Sequence, residues 1–189
     1  MTFDVIYLAR HGQTEWNVEG RRQGRLDSPL TALGLLQARR NADLLLDERV
    51  DSVFTSPLGR ARRTAEILGE ALGLPVQVLD DLAEISHGAW SGLTSAEIDA
   101  RWPGQRAARV RDKYGFRFPE GESYADADAR AGRALAQVGG GRPLVVSHEM
   151  IGRMLLKQLG VVDALQLGQP SDVVYRVRGP VVDRLTWAE

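Results

Sequence analysis

The sequence predicts an α/β fold: a three-layer sandwich with a mostly parallel central sheet flanked by helices, plus a helical lid insertion. Three observations predict it. Short β-branched runs alternate with helix-length stretches along the chain. No repeat or low-complexity tract interrupts the alternation. The 189 residues, 43% of them hydrophobic, suit one core and so a single domain over 1–189.

Each element has a local reason. Val5 to Ala9 is an apolar, partly β-branched run that reads as a buried strand, and it stops at Arg10-His11-Gly12. A loop rich in Gly and Arg follows, through Ser28-Pro29. Thr31 can cap a helix from Ala32 to about Asp47, with Leu33, Leu36, Leu44 and Leu45 as expected core contacts. Ser52 to Thr55 is a second strand, broken by Ser56-Pro57. A helix starts near Leu58-Gly59-Arg60 and ends at Gly73. Val76 to Leu79 is a third strand. Thr94 with Glu97 reads as a capping box opening a short helix that Pro103 stops. Ser123 can cap an Ala-rich helix to about Val138. Pro143 to Ser147 is a fourth strand, leading at His148-Glu149 into a helix through Leu159. Val173 to Val177 and Val181 to Trp187 are closing strands around the turn pair Gly179-Pro180. The irregular stretch from about 85 to 122 reads as an insertion over the sheet edge.

Composition narrows the function. A net charge of -1 supplies no global field toward nucleic acid or an anionic membrane. The absence of cysteine excludes disulfides and thiol chemistry. Met1-Thr2-Phe3-Asp4 runs into a strand with no basic-then-apolar leader, and no apolar run reaches the roughly 18 residues of a membrane helix. A cytoplasmic protein is expected. The three histidines are scattered, with no H-E-x-x-H pattern, and no Walker-type loop occurs. No metal and no cofactor are therefore expected.

In open parallel sheets, ligands sit beyond the carboxyl ends of the strands. The first strand ends in Arg10-His11. The second leads to Arg60, the third to Glu84, and the fourth to His148-Glu149. Two histidines, two arginines and a carboxylate are thus expected at one sheet edge. Guanidinium groups bind phosphate bidentately, and helix N-termini can add to a dianion site. A neutral imidazole can attack phosphorus, and a second can hold charge on the equatorial oxygens. A carboxyl group can protonate the leaving alcohol. Gly12 would allow close backbone approach to the phosphate.

The motifs are then recognisable. Leu8-Ala9-Arg10-His11-Gly12-Gln13-Thr14-Glu15-Trp16-Asn17 resembles the R-H-G signature of the histidine phosphatase superfamily. Gly20-Arg21-Arg22-Gln23-Gly24 with Asp27-Ser28-Pro29 continues the pattern. Ser56 to Ala61, Leu82-Ala83-Glu84-Ile85 and Val145-Val146-Ser147-His148 are similar to its later motifs. The resemblance implies His11 as phosphorylated nucleophile, Glu84 as proton donor and acceptor, and Arg10, Arg60 and His148 around the phosphoryl group. It places Asn17, Gln23 and Gly24 in the substrate pocket. It implies a metal-independent phosphomonoester hydrolase for a small phosphorylated metabolite. Phosphoglycerate mutase-type transfer and a non-catalytic phospho-ligand module are the alternatives, and a homodimer stays open.

Two features depart from the pattern. Glu149 stands where a small neutral residue is usual in the family, and it is expected to turn from the phosphate or be held by Arg153, adding only its backbone N–H. His87 stands where an aromatic residue is common. The insertion also carries Arg101, Arg106, Arg109, Arg111, Lys113 and Arg117 against Asp112. The ordinary reading is a solvated face; the functional one is a basic lid over a second anionic group.

Overall fold

Alternation along the strands decides which side chains enter which layer. β1 (Ile6–Arg10) sends Ile6 and Leu8 to one face of the sheet and Tyr7 and Ala9 to the other. The computed structural model describes residues 3–187; Met1 and Thr2, part of the leader-free start expected above, lie outside the described residues. β1 runs parallel to β4 (Pro143–Ser147), which is parallel to β2 (Ser52–Thr55), which is parallel to β3 (Val76–Val78). β5 (Val173–Arg178) lies antiparallel to β1, and β6 (Val181–Thr186) antiparallel to β5. The sheet order is β3-β2-β4-β1-β5-β6. The mostly parallel sheet is as the sequence predicts, and the closing strands are its antiparallel part.

The helices, in chain order, are α1 (Glu15–Val18), α2 (Ala32–Asp43), α3 (Gly59–Leu72), α4 (Ser95–Arg101), α5 (Gln105–Arg111), α6 (Tyr124–Val138) and α7 (Glu149–Gln158). Ile6, Leu8, Phe54 and Val145 meet Ala131 and Ala134 of α6 and Ile151 and Met154 of α7. Tyr7, Ala9, Val53 and Val146 meet Ala42 of α2 and Ala65 and Leu68 of α3. These are the two outer layers. The capping boxes at Thr94 and Ser123 form, and Gly73 ends α3 in the left-handed region at φ 69°.

α2 corrects the sequence reading twice. It ends at Asp43, and turns carry the chain to Arg49. Its buried face is Gly34, Ala38, Asn41 and Ala42, while Leu33 and Leu36 are exposed. Of the four expected leucines only Leu45 is buried, stabilising the fold by about 2 kcal/mol. Small residues win this face because the loop after β1 passes very close. A Cβ on Gly12 would lie 2.3 Å from the Gly34 carbonyl oxygen. Gly12 therefore serves backbone packing against α2, a reason different from the phosphate approach expected for it. α1 and α5, read as loop and irregular insertion, are short helices; Thr14 caps the first in a box with Asn17.

Candidate active site

β1 and β4 are parallel neighbours that end together, with Arg10 in register with Ser147. The next residue on each is a histidine. Their rings lie 5.2 Å apart, centroid to centroid. His11 is 3% exposed and His148 is fully buried.

The hydrogen bonds fix the His11 tautomer. Nδ1 lies 2.8 Å from the Gly12 carbonyl oxygen. A carbonyl only accepts, so Nδ1 carries the proton and Nε2 keeps its lone pair in the neutral ring. Arg60 Nε donates to that Nε2 at 3.2 Å. Burial, then the charges of Arg10 and Arg60, holds the His11 pKa well below 6.5. Burial also lowers that of His148, followed by Arg60 and His11. Both rings are neutral near pH 7.

Arg60 enters from the first turn of α3 and is anchored on every nitrogen. Nη1 donates to the Leu26 carbonyl (2.7 Å) and to Asp27 Oδ1 (3.0 Å), and Nη2 to the Gly24 carbonyl (2.8 Å). Asp27 also accepts the Arg60 backbone N–H. His148 Nε2 lies 2.7 Å from Ser56 Oγ, and its Nδ1 is buried without a protein partner among the described residues. Arg10 Nε is likewise buried and unpartnered. Sequence reasoning missed Asp27 and Ser56 as site residues. Their signal was in the sequence, since both lie within the recognised motifs.

Glu84 reaches the start of α7. Its Oε1 accepts the N–H groups of Ile85 (2.9 Å) and Ile151 (3.0 Å), and Oε2 that of Met150 (3.2 Å). This corrects the expectation that two helix N-termini serve the phosphate directly. The amides of Met150 and Ile151 hold Glu84, and that of Arg60 in α3 holds Asp27.

Arg10, His11, Asn17, Gln23, Gly24, Arg60, Glu84 and Glu149 all line one cavity of about 290 Å³. His148 is not among the residues that line it, though its ring is 5.2 Å from that of His11. Asn17 Oδ1 accepts from the backbone and hydroxyl of Thr14, whose hydroxyl oxygen also accepts Gln23 Nε2–H at 2.8 Å. Gly24 sits at φ 55°, and a Cβ there would meet the His87 backbone N at 2.9 Å.

Glu149 does not turn away as expected. Its carboxylate lines the cavity, bonded to Arg10 Nη1 at 3.1 Å and to Arg153. The partnership with Arg153 one turn along α7 is as the sequence indicated; the one with Arg10 is not. With two guanidinium partners the carboxylate can face an anion site without standing there as an unpaired charge.

The insertion divides between its two readings. Arg101, Arg111 and Arg117 are exposed, and Arg106 pairs with Asp99. Arg109 and Lys113 line the cavity, joined by Arg21, Arg22, His87, Met150 and Arg153. No periodicity marks these out, because they come from four separate segments.

Known proteins are similar to this chain in sequence and share its fold. The family model described as histidine phosphatase superfamily (branch 1) matches residues 6–170. A Yersinia pestis protein named probable phosphoglycerate mutase GpmB is 36% identical over 92% of this chain and 79% of its own length. A structure of a mycobacterial glucosyl-3-phosphoglycerate phosphatase complexed with VO3 superposes with a TM-score of 0.84 at 32% identity, covering 97% of this chain and 98% of its own. The alpha-ribazole phosphatase from Shigella flexneri gives a TM-score of 0.79 at 26% identity, covering 95% and 94%.

Proposed function

The chain belongs to the histidine phosphatase superfamily, and on that premise we propose that it is a phosphomonoester hydrolase acting on a small phosphorylated metabolite through a phosphohistidine at His11. One observation carries the reading. His11 Nε2 is a lone pair held in a cation-rich cavity by the Nδ1–H bond to Gly12.

In this mechanism Nε2 attacks phosphorus while the bond to the leaving oxygen breaks. Glu84 gives its proton to that oxygen. Water then attacks phosphorus, Glu84 takes the water proton, and the P–N bond breaks to release inorganic phosphate. Arg10 and Arg60 hold the phosphoryl oxygens. Ser56 Oγ accepts the Leu58 N–H at 3.2 Å and in this mechanism donates its own O–H to His148 Nε2, which leaves the ring proton on Nδ1. The unpartnered Nδ1–H of His148 is then the donor for an equatorial oxygen once phosphorus is bonded to His11.

Rapid quench with labelled substrate should trap an acid-labile, base-stable phosphoenzyme; direct attack by water would leave none under any condition. Activity on an aryl phosphate should persist in excess chelator, because Arg10, Arg60 and His148 supply the positive charge and the donors. Complete loss that returns with added divalent metal would overturn the mechanism.

Glu84→Gln should slow alkyl phosphates by about 10²–10⁴-fold and aryl phosphates far less, since an alkoxide needs a proton to leave and a nitrophenolate barely does. The amide can present only one acceptor oxygen to three backbone N–H groups, so some stability is lost as well. That loss acts on both substrates alike and leaves the contrast readable. Equal rate losses would assign the proton to another group.

A mutase reading is favoured by one observation, the name given to the Yersinia pestis relative. Release of inorganic phosphate from phosphoglycerate, with no isomer formed, would separate the two.

A further inference from the structure

Arg10 lines the cavity, yet the protein grips its guanidinium at one nitrogen only. Nη1 donates to Glu149 Oε2 at 3.1 Å and to the Gln169 carbonyl at 3.3 Å, which uses both hydrogens of that nitrogen. Nε is buried without a partner, and Nη2 makes no hydrogen bond among the described residues. Nε–H and the neighbouring Nη2–H point the same way and form the fork that takes two oxygens of one phosphoryl group. Arg10 is thus held from behind, with its bidentate edge left unpaired.

The hold is a closed ring. Arg153 Nη2 donates to Glu149 Oε1, and Arg153 Nε donates to the Leu167 carbonyl at 2.8 Å. Leu167 and Gln169 both lie in the loop between α7 and β5. The ring runs from the Gln169 carbonyl through Arg10, Glu149 and Arg153 to the Leu167 carbonyl, and both ends close on that loop. The loop is itself pinned by side chains, since the Gly168 carbonyl accepts the Tyr175 hydroxyl and the Leu165 carbonyl accepts Lys113. A ring fixes the direction of each member better than a lone ion pair, because no member turns without breaking two bonds.

Gln169 seats the loop. It is 5% exposed, and its side chain lies against α7 at Gly152, where an added Cβ would stand 2.0 Å from Oε1. Yet its Nε2 is buried with no hydrogen-bond partner among the described residues. A buried amide left unpaired lowers stability. The fit against Gly152 holds this side chain in place, and what the seat delivers is the carbonyl on Arg10.

We propose that Gln169 is a positioning residue for phosphoryl transfer: seated at Gly152, it closes the ring through Glu149 and Arg153 that aims the Nε–Nη2 edge of Arg10 at the phosphoryl oxygens. Glu149 is then part of the same hold, and its carboxylate serves Arg10. The inference rests on the hydrolase reading for the group that Arg10 receives.

Kinetics with an aryl phosphate give the first test. Gln169→Ala should lower kcat/KM by about tenfold in the otherwise unsubstituted protein. In the Arg10→Lys protein, which has no fork to aim, the same substitution should cost less than about twofold. Gln169→Met, which fills the seat without the amide, should keep most of the native kcat/KM. Equal losses in the two backgrounds, no loss in either, or a Gln169→Met protein as slow as Gln169→Ala overturns the assignment. The second test is NMR of the Arg10 Nε–H signal in nitrogen-labelled protein, assigned by its absence from the Arg10→Lys protein, with inorganic phosphate as the probe. Phosphate should shift and sharpen the signal in the unsubstituted protein, and Gln169→Ala should abolish that response; a response that survives overturns the positioning role. If no phosphate ester is hydrolysed, the hydrolase falls and the NMR response alone decides the role of Gln169. If the ester is hydrolysed and Gln169→Ala changes neither reading, the positioning role falls and the hydrolase stands.

Discussion

His11→Ala should lower turnover by about 10⁴-fold or more while leaving the protein folded. Under the proposed mechanism no other group offers a lone pair at that position. Arg60 donates to Nε2, Glu84 is held by three backbone N–H groups, and His148 does not line the cavity. The fold should tolerate the change because His11 comes after the end of β1, and the strand's own core contacts are Ile6, Tyr7, Leu8 and Ala9. Circular dichroism and thermal melting check the fold, and steady-state kinetics with an aryl phosphate checks the loss. Retention of more than about one hundredth of the activity would remove His11 as nucleophile.

Mild acid should unfold this protein steeply. All three histidines in the chain are buried, and all three have lowered pKa values. For His87 the value is about 3, with burial as the main cause and Arg22 next; His11 and His148 lie well below 6.5. The unfolded chain takes up these protons near 6.5, and the folded chain does not. Stability is therefore full above pH 6.5 and is lost as pH falls below it. The window runs down to about 3 for His87 and to the lowered values of the other two. Three protons, each about 1.4 kcal/mol per pH unit, give a slope of about 4 kcal/mol per unit. Against a net stability of about 5–15 kcal/mol, one to a few units suffice. Urea titrations at several pH values measure the slope. His87→Phe, which removes one of the three protons, should flatten it by about a third. Stability that stays level between about pH 6.5 and 5 would show that the buried rings reach protons without unfolding.

The strand-end rule brought the candidate group together because it needs only the order of the strands and the residues just past each one. Arg10, His11, Arg60, Glu84 and His148 each sit at a strand end or a few residues beyond it, so their meeting was legible. The partners of Glu149 were only half legible. Arg153 is one turn away on the same helix, whereas Arg10 is 139 residues distant and adjacent only because β1 lies beside β4. Arg22 and Arg109 reach the cavity from a loop and a short helix of the insertion, where no period exists to read. The leucines of α2 misled for a related reason. Leucine hydrophobicity pointed inward, but a close backbone crossing at Gly12 and Gly34 left room only for the glycine and alanine stripe.

The placement of β1 between β4 and β5 has a consequence for the protein's birth on the ribosome. The strand that leads to His11 emerges before the others of the sheet, yet its two neighbours are the fourth and fifth strands in chain order. Tyr7 must wait for Leu144, and Leu8 for Tyr175. At a synthesis rate of about 5–20 residues per second, β1 spends many seconds without a partner on either edge. An unpaired, largely apolar strand of this kind is a surface for mispairing and for chaperone capture. A nascent chain stalled before β4 therefore cannot bring His148 beside His11, however much of α2, α3 and β2 it has already formed.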